Sequence, residues 1–300
     1  MPAPCNCRTM TAALSPRSAS RTFRMNRADP AARETIVVDS IFGPITAFEG
    51  DFATGQIAQF GAHSRNELAL LRTFVDPGDL VYDVGAHIGT FAIPLAQACG
   101  ESGRVIAIEA DASNFALLRH NLGQHGLLGR VTPLCGLAGA GTGRFRAVRF
   151  PGHTSATYFT PDPAGESLAT IRIDDLHAMD PARVGVIKID VEGMELCVLQ
   201  SAERTIARDR PLLHVEMSPE QLSRQGATPD DIEALMRRHD YRFFRNVGER
   251  NSAHDRFELI EITSLGEAGA FYDVLAVAAG DAKLARAMQA ARSRTDVSSP

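Results

Sequence analysis

The fold of this 300-residue chain is decided by the stretch Leu80-Val81-Tyr82-Asp83-Val84-Gly85-Ala86-His87-Ile88-Gly89-Thr90. Its apolar start follows the turn Pro77-Gly78-Asp79 and predicts a buried strand. Gly85 then allows a sharp turn, and Gly89 lets the next helix begin close to the sheet or to a ligand. We predict that this helix runs from Thr90 to about Cys99 and directs its first amides at the space above the turn.

The acid before the first glycine indicates which kind of ligand the turn faces. A dinucleotide-binding turn has the order Gly-x-Gly-x-x-Gly, because its backbone approaches a pyrophosphate. Here the order is Asp83-x-Gly85-x-x-x-Gly89, and a carboxylate suits a cationic amino group better, such as the methionine end of S-adenosylmethionine. Glu109 lies 20 positions after Gly89, at the end of a second predicted strand, where an acid can accept hydrogen bonds from ribose hydroxyls.

The composition indicates one large α/β domain with extensions, since 44% of the residues are hydrophobic and 22% are charged. The formal net charge of −5 argues against nucleic acid as the main partner. The sequence contains no run of about 18 apolar residues, so no membrane span is predicted. The five scattered cysteines indicate free thiols in a reducing compartment, and we expect a cytoplasmic protein.

The chain is predicted to consist of a tail, one domain and a second tail. Residues 1–34 are rich in Ala, Ser, Pro and Arg, which predicts a disordered tail, an organellar transit peptide being the alternative. Residues 35–280 are predicted to form one domain, in which a β-hairpin and a helix (35–76) precede the core (77–280). Residues 281–300 are predicted to form a helix that frays into a polar tail.

Strand-like and helix-like segments alternate through the core. This order predicts a Rossmann-like α/β fold, with a mostly parallel seven-stranded sheet, helices on both faces and the ligand at the carboxyl ends of the strands. Residues 136–141 are predicted to be a loop of small residues near an adenine. Residues 151–167 are predicted to be a mobile connector. Thr170–Leu176 is predicted to be a short strand, and Met194–Ala207 one helix.

Three acids, Asp83, Asp190 and Glu216, end predicted strands, and Glu192 follows two positions after Asp190. Because the carboxyl ends of these strands converge, we expect the carboxylates to lie together. A cationic ligand, a proton or a metal ion must offset their repulsion, and a sulfonium donor supplies part of that charge. Lys188 points to the same face as Asp190 in a regular strand, either as a buried ion pair or near an acceptor.

These motifs resemble those of the FkbM-like S-adenosylmethionine-dependent methyltransferases. The resemblance rests on Val81–Gly89, Glu109, Ile187–Glu195 and Pro211–Glu216. It covers roughly residues 36–245, and the Lys-x-Asp-x-Glu-Gly-x-Glu block is its most specific part. The first motif of the family more often has Asn in place of His87 and Pro in place of Ala110. The resemblance implies a class I methyltransferase fold and, for most members, O-methylation of sugar or natural-product hydroxyls.

The motifs and the resemblance together give a predicted site. The residues expected to hold the cofactor are Asp83, Gly85, Ala86, His87, Gly89, Glu109, Ala110 and Asp190. The residues expected to act in catalysis are Asp190, Glu192, Glu216 and Lys188. Asp190 is the predicted general base. A magnesium ion held by Asp190, Glu192 and Glu216 is an alternative, because three oxygen ligands at one crevice suit a hard cation.

We therefore expect in-line methyl transfer from S-adenosylmethionine to a hydroxyl of a sugar, glycolipid or natural product. The expected partner is a small-molecule, glycan or lipid-linked acceptor, with no nucleic acid and no membrane span. A nicotinamide-dependent oxidoreductase and a non-catalytic nucleoside-binding module are the alternatives. Methylation of nitrogen or carbon also stays open, because the donor site would be the same.

Overall fold

The computed structural model describes residues 33–139, 143–179, 182–266 and 271–292. Predictions for residues 1–32, 140–141 and 293–300 lie outside the described residues. The strands are β1 (Thr35–Ser40), β2 (Gly43–Phe48), β3 (Leu80–Val84), β4 (Arg104–Glu109), β5 (Val131–Cys135), β6 (Leu137–Ala138), β7 (Arg144–Phe150), β8 (His153–Pro161), β9 (Glu166–Ser167), β10 (Thr170–Ile171), β11 (Val184–Ile189), β12 (Leu212–Met217), β13 (Tyr241–Asn246), β14 (Leu259–Ile262) and β15 (Tyr272–Ala278). The helices are α1 (Phe52–Phe60), α2 (Arg65–Thr73), α3 (Ala92–Ala98), α4 (Ala112–Gln124), α5 (Ile173–Met179), α6 (Glu195–Ser201), α7 (Glu203–Asp209), α8 (Pro219–Arg224), α9 (Pro229–Arg237) and α10 (Ala282–Arg292).

Eight strands form the central sheet, in the order β14-β13-β15-β12-β11-β3-β4-β5. The five strands from β12 to β5 are parallel, and the remaining three are added antiparallel. Helices α1–α4 and α10 pack on one face, and α5–α9 pack on the other. The predicted doubly covered, mostly parallel sheet is confirmed. The predicted count of seven strands is corrected to eight within the described residues, because the short strand β14 pairs with β13 at the edge.

β3 is a buried strand because it places apolar side chains against the helices on both faces of the sheet. Val81 packs in the cluster with α2 and α3, whereas Leu80 and Tyr82 pack in the cluster with α5–α9. All three side chains are at most 1% exposed. β3 has β4 and β11 as its neighbours, so the turn after β3 lies in the middle of the carboxyl edge of the sheet.

Three segments differ from the prediction. Residues 151–167 are not a connector: they contain β8 and β9, which pair antiparallel with β7, and Phe159 packs in a small apolar cluster with Leu137 and Met194. The strand predicted over Thr170–Leu176 is shorter, since only Thr170–Ile171 is extended. Helix α5 follows it, with two acids in its first turn. The helix predicted from Met194 divides into α6 and α7, because Ala202 leaves the helical conformation at φ −112°.

The predicted N-terminal hairpin is present as β1 and β2, and it packs beside α1 and α4. The sequence analysis does not predict α1. This helix begins at Asp51, whose side chain accepts a hydrogen bond from the Ala53 amide, and ends at Gly61 in the left-handed conformation. The longest described helix is the 13-residue α4. None of the helices in the described ranges combines the length and the apolar character that crossing a bilayer requires.

Candidate active site

A cavity lies at the carboxyl edge of the parallel strands, above the turn that follows β3. Its empty volume is about 650 Å³, part of it open to solvent. Seven of the predicted site residues line it: Gly85, His87, Glu109, Ala110, Lys188, Asp190 and Glu192. The other four are not part of its lining: Asp83, Ala86, Gly89 and Glu216. The structure therefore brings most of the predicted site to one cavity.

Gly85 is the tightest point of the cavity wall. Its φ is +81°, and a Cβ atom there would lie 1.7 Å from the carbonyl oxygen of Asp190. The turns after β3 and β11 therefore touch through their backbones, which only glycine permits. The amides of Gly85 and Ala86 both donate to the carbonyl of Ile108, at 2.9 and 3.0 Å. These two amides hold the turn to β4 and do not point at a ligand.

Glu109 is fixed at the cavity wall by two backbone donors. The amide of His87 donates to Oε2 at 2.8 Å, and the amide of Asp111 donates to Oε1 at 2.7 Å. Burial raises the pKa of Glu109 to about 7, against the effect of these amides. Each carboxylate oxygen has a second lone pair, so Glu109 can also accept a hydrogen bond from a ligand hydroxyl.

Lys188 lies between two carboxylates. Its Nζ atom is 3.3 Å from Oδ1 of Asp83 and 3.5 Å from Oδ2 of Asp190, and it donates to the carbonyl of Gly85 at 3.0 Å. Burial opposes the charge of Lys188, but Asp190 and Asp83 raise its pKa. Asp83 is completely buried beneath the cavity. Its carboxylate faces Lys188, so the structure places Asp83 as a support for the lysine and not at the cavity surface.

We expect a Lys188→Met variant to be destabilised by about 3 kcal/mol, because removing one partner of a buried ion pair leaves an uncompensated charge. The double variant Asp83→Asn/Lys188→Met should recover most of that loss, since both buried charges are then absent. Urea unfolding at pH 8 measures the free energy of unfolding of both. A loss below about 1 kcal/mol in the single variant would contradict a supporting role for this pair.

Asp190, Glu192 and Glu216 meet at one end of the cavity, which we call the acceptor end. One oxygen of each carboxyl lies within 4.8 Å of the others. Burial, together with Asp190, raises the pKa of Glu192 to about 8 and that of Glu216 well above its usual range. Burial acts against ionisation of Asp190 too, but Lys188 and Arg250 hold its pKa below the usual range. At pH 7 Asp190 is ionised, whereas Glu192 favours the protonated form.

Arg250, which lies in the segment between β13 and β14, is not predicted from the sequence. One guanidinium nitrogen is 3.5 Å from Oε1 of Glu216, and another is 2.9 Å from Oδ2 of Asp273. Beside it, Glu67, His214 and Asp273 form a second buried cluster, in which Nε2 of His214 is 3.4 Å from Oε2 of Glu67. Glu216 and Asp273 are directly opposite each other on β12 and β15, and this pairing brings the two clusters together.

The roof of the cavity comes from β8 and is likewise not predicted from the sequence. The lining residues on this strand are Thr154, Ser155, Thr157 and Phe159. The Oγ1 atom of Thr154 is 2.7 Å from Nε2 of His87, and the Thr154 amide donates to Asp51 at 2.7 Å. These contacts connect the roof to the turn after β3 and to the start of α1. The run Thr157-Tyr158-Phe159 is the signal that could have indicated a strand.

Two histidines at the cavity are neutral at pH 7. Burial lowers the pKa of His63 to about 3 and that of His87 to about 4. Their ring centroids are 6.5 Å apart. His63 lies between α1 and α2 at the acceptor end, and its Nδ1 atom has no hydrogen-bond partner within the described part of the chain. His63 adds a neutral polar group to the carboxylates at this end.

Glu195 closes the turn that carries Asp190 and Glu192. Its Oε1 atom accepts hydrogen bonds from the amides of Val191 and Gly193, at 3.2 and 3.1 Å. The side chain is 1% exposed, and burial raises its pKa to about 7. The folded-state pKa thus lies above the usual value of 4.5. The stability that follows from this shift is fully present below pH 4.5 and is lost as the pH rises through 7.

We expect a Glu195→Gln variant to match the wild-type stability at pH 5 and to exceed it by about 3 kcal/mol at pH 8. Glutamine keeps an oxygen that can accept both amides but does not have to ionise. Urea unfolding of both proteins at pH 5, 6, 7 and 8 gives the two free energies of unfolding. A difference that does not change with pH would show that Glu195 does not titrate in this range.

Comparison with known proteins identifies one family. Residues 83–243 match the Methyltransferase FkbM domain family. The 31-O-demethyl-FK506 methyltransferase FkbM of Streptomyces tacrolimicus is 31% identical over 160 residues, with 42% of this chain and 60% of that protein covered. The chain therefore spans about 60% of the length of this curated relative.

Solved structures with a similar arrangement include two methyltransferases. Methyltransferase FkbM from Methylobacillus flagellatus is 21% identical, with 67% of this chain and 43% of that chain covered and a TM-score of 0.42. An S-adenosylmethionine-dependent O-methyltransferase from Thermotoga maritima is 16% identical, with 71% of this chain and 64% of that chain covered and a TM-score of 0.39.

Proposed function

Because the chain belongs to the FkbM methyltransferase family, we propose that it transfers a methyl group from S-adenosylmethionine to a hydroxyl of a sugar, glycolipid or natural product. S-adenosylmethionine is the methyl donor of this family. The observation that carries the proposal is the cavity, which has Glu109 on its wall and an ionised carboxylate, Asp190, at its acceptor end.

The lining of the cavity supports one orientation of the donor. Glu109 accepts hydrogen bonds from the ribose, and Ala110 lies beside the adenine. Gly85 and His87 lie along the methionine part, and Asp190 is directed at the sulfonium end. The remaining predicted cofactor residues, Asp83, Ala86 and Gly89, act indirectly by fixing the turn.

The reaction is an in-line displacement. The acceptor oxygen forms a bond to the methyl carbon while the carbon–sulfur bond breaks, and the electron pair of that bond stays on sulfur. The hydroxyl proton passes to Asp190, which is ionised at pH 7. Glu192 is protonated and donates a hydrogen bond to the acceptor, and Glu216 supports Asp190. Neighbouring carboxyl groups with different pKa values can act as proton acceptor and hydrogen-bond donor at the same pH.

The charge of the acceptor end favours a neutral acceptor. Asp190 and Glu192 line this end and Asp190 is ionised, whereas Lys188 and Arg250 are occupied by buried carboxylates. A phosphate or carboxylate close to the methylated atom would be repelled. A neutral hydroxyl on a small molecule, a glycan or a lipid-linked sugar fits these charges.

Two measurements test the proposal. Calorimetry should show one molecule of S-adenosylhomocysteine bound per chain and no binding of NADH. Incubation with methyl-labelled S-adenosylmethionine and a panel of glycans, glycolipids and polyketides should then label a neutral hydroxyl. Absence of heat with folded protein would contradict the whole proposal. Binding without transfer to any acceptor would instead support a non-catalytic nucleoside-binding module.

A further inference from the structure

Each carboxylate at the acceptor end has one oxygen engaged by a protein group. Oδ2 of Asp190 is 3.5 Å from Lys188, Oε2 of Glu192 accepts a hydrogen bond from Gln221, and Oε1 of Glu216 is 3.5 Å from Arg250. Glu216 is only 4% exposed, yet its other oxygen, Oε2, has no hydrogen-bond partner among the described residues. A buried carboxylate oxygen without a donor is costly, and Glu216 is one of the three residues of the cluster.

The spacing of the three carboxylates matches the coordination shell of a hard cation. One oxygen of each lies within 4.8 Å of the others. Such cations bind oxygens at about 2.0–2.6 Å, so two ligands of one ion are up to about 4–5 Å apart. Asp190 and Glu192 follow β11, and Glu216 lies near the end of β12, the adjacent strand in the interior of the sheet.

We propose that Asp190, Glu192 and Glu216 bind one divalent cation, Mg²⁺ or Mn²⁺, at the acceptor end of the cavity. Because a carboxyl group must be deprotonated to coordinate a metal, Glu192 and Glu216 release their protons to solvent when the ion binds. Bound there, the ion would lower the pKa of an acceptor hydroxyl beside it. This use of the ion rests on the proposed function, whereas the binding of the ion does not.

The second cluster, Glu67, His214 and Asp273, is a poorer site for a cation. The side-chain amide of Asn246 donates to Glu67 at 2.9 Å, and the guanidinium of Arg250 is 2.9 Å from Asp273. One of its three ligands is a histidine nitrogen, which suits a hard cation less than an oxygen, and all three residues are buried, whereas Asp190 and Glu192 are partly exposed at the cavity. The structure therefore assigns the ion to the acceptor end, and a variant of the second cluster is the control for variants of the first.

Titration of the full chain with Mn²⁺, followed by the electron paramagnetic resonance signal of the free ion, tests this assignment. We expect one Mn²⁺ per chain, displaced by excess Mg²⁺. Glu216→Gln should weaken Mn²⁺ binding at least tenfold, and Glu67→Gln in the second cluster should change it less than twofold. Circular dichroism of each variant, without metal, reports whether the protein is folded, and calorimetry with S-adenosylhomocysteine reports whether the donor site is intact. If Glu216→Gln does not fold, Glu192→Gln replaces it with the same tenfold criterion.

Three results would overturn the assignment. These are wild-type protein that binds no Mn²⁺, a Glu216→Gln variant that binds it unchanged, and loss of binding in Glu67→Gln alone. S-adenosylhomocysteine binding without Mn²⁺ binding would leave the proposed function in place and remove only the metal site. Mn²⁺ binding by folded protein that does not bind S-adenosylhomocysteine would leave the metal site in place and contradict the proposed function.

Discussion

A Gly85→Ala variant is expected to be destabilised by at least about 3 kcal/mol, the sum of a left-handed alanine and an overpacked contact. The new Cβ atom would lie 1.7 Å from the carbonyl oxygen of Asp190, at a φ of +81°. The backbones after β3 and β11 would have to separate, and both form the cavity. We therefore also expect the affinity for S-adenosylhomocysteine to fall more than about a hundredfold, which is about 3 kcal/mol of binding free energy.

Gly126→Ala is the matched control for this variant. Gly126 also has a positive φ, +67°, but no atom lies within 4 Å of the position that its Cβ would occupy. This substitution carries the same backbone penalty without the contact, and we expect a loss of about 1 kcal/mol and unchanged binding. Urea unfolding and calorimetry measure both variants. Equal losses in the two would show that the contact with Asp190 contributes nothing.

Gly85 also shows how far the sequence alone reaches. The motif predicts that a glycine must stand at this turn, but the neighbour that requires it, Asp190, belongs to the turn after another strand, more than a hundred residues later. The apolar runs of β3, β4 and β11 are long enough to predict buried strands, and these fix the order of the core. The resemblance to the FkbM methyltransferases, which rests on the turns after these strands, is confirmed by the family match.

The parts that sequence reasoning misses depend on contacts between distant segments. β8 forms a roof because Thr154 bonds to His87 and to Asp51, which precede it by 67 and 103 residues. Arg250 has no motif around it, and only the pairing of β12 with β15 creates the charges that hold it. The burial of Asp83 beneath the cavity has the same origin, since Lys188 closes over it from the neighbouring strand. The local hydrophobic pattern does not predict which distant segments will pair.

An Asp190→Asn variant is expected to lose turnover by a factor of about 10²–10⁴, the range that a positioned proton acceptor contributes. Asparagine has the same shape but does not accept the hydroxyl proton. Lys188 keeps Asp83 as its partner at 3.3 Å, so the buried charge pair beneath the cavity is preserved. We therefore expect the affinity for S-adenosylhomocysteine to change less than about fivefold, about 1 kcal/mol. Single-turnover transfer of labelled methyl, with calorimetry on the same protein, separates the two effects.

Asp175→Asn is the control for that experiment, because Asp175 is 64% exposed on α5 and does not line the cavity. It should transfer the methyl group at the wild-type rate. If Asp190→Asn also turns over normally, Asp190 has no part in the chemistry, and Glu192 becomes the remaining carboxyl that lines the acceptor end. If instead donor affinity falls together with turnover, Asp190 acts on the sulfonium donor and not on the acceptor. Because the pKa of Asp190 is lowered while those of Glu192 and Glu216 are raised, its variant separates these mechanisms more sharply than a variant of either neighbour.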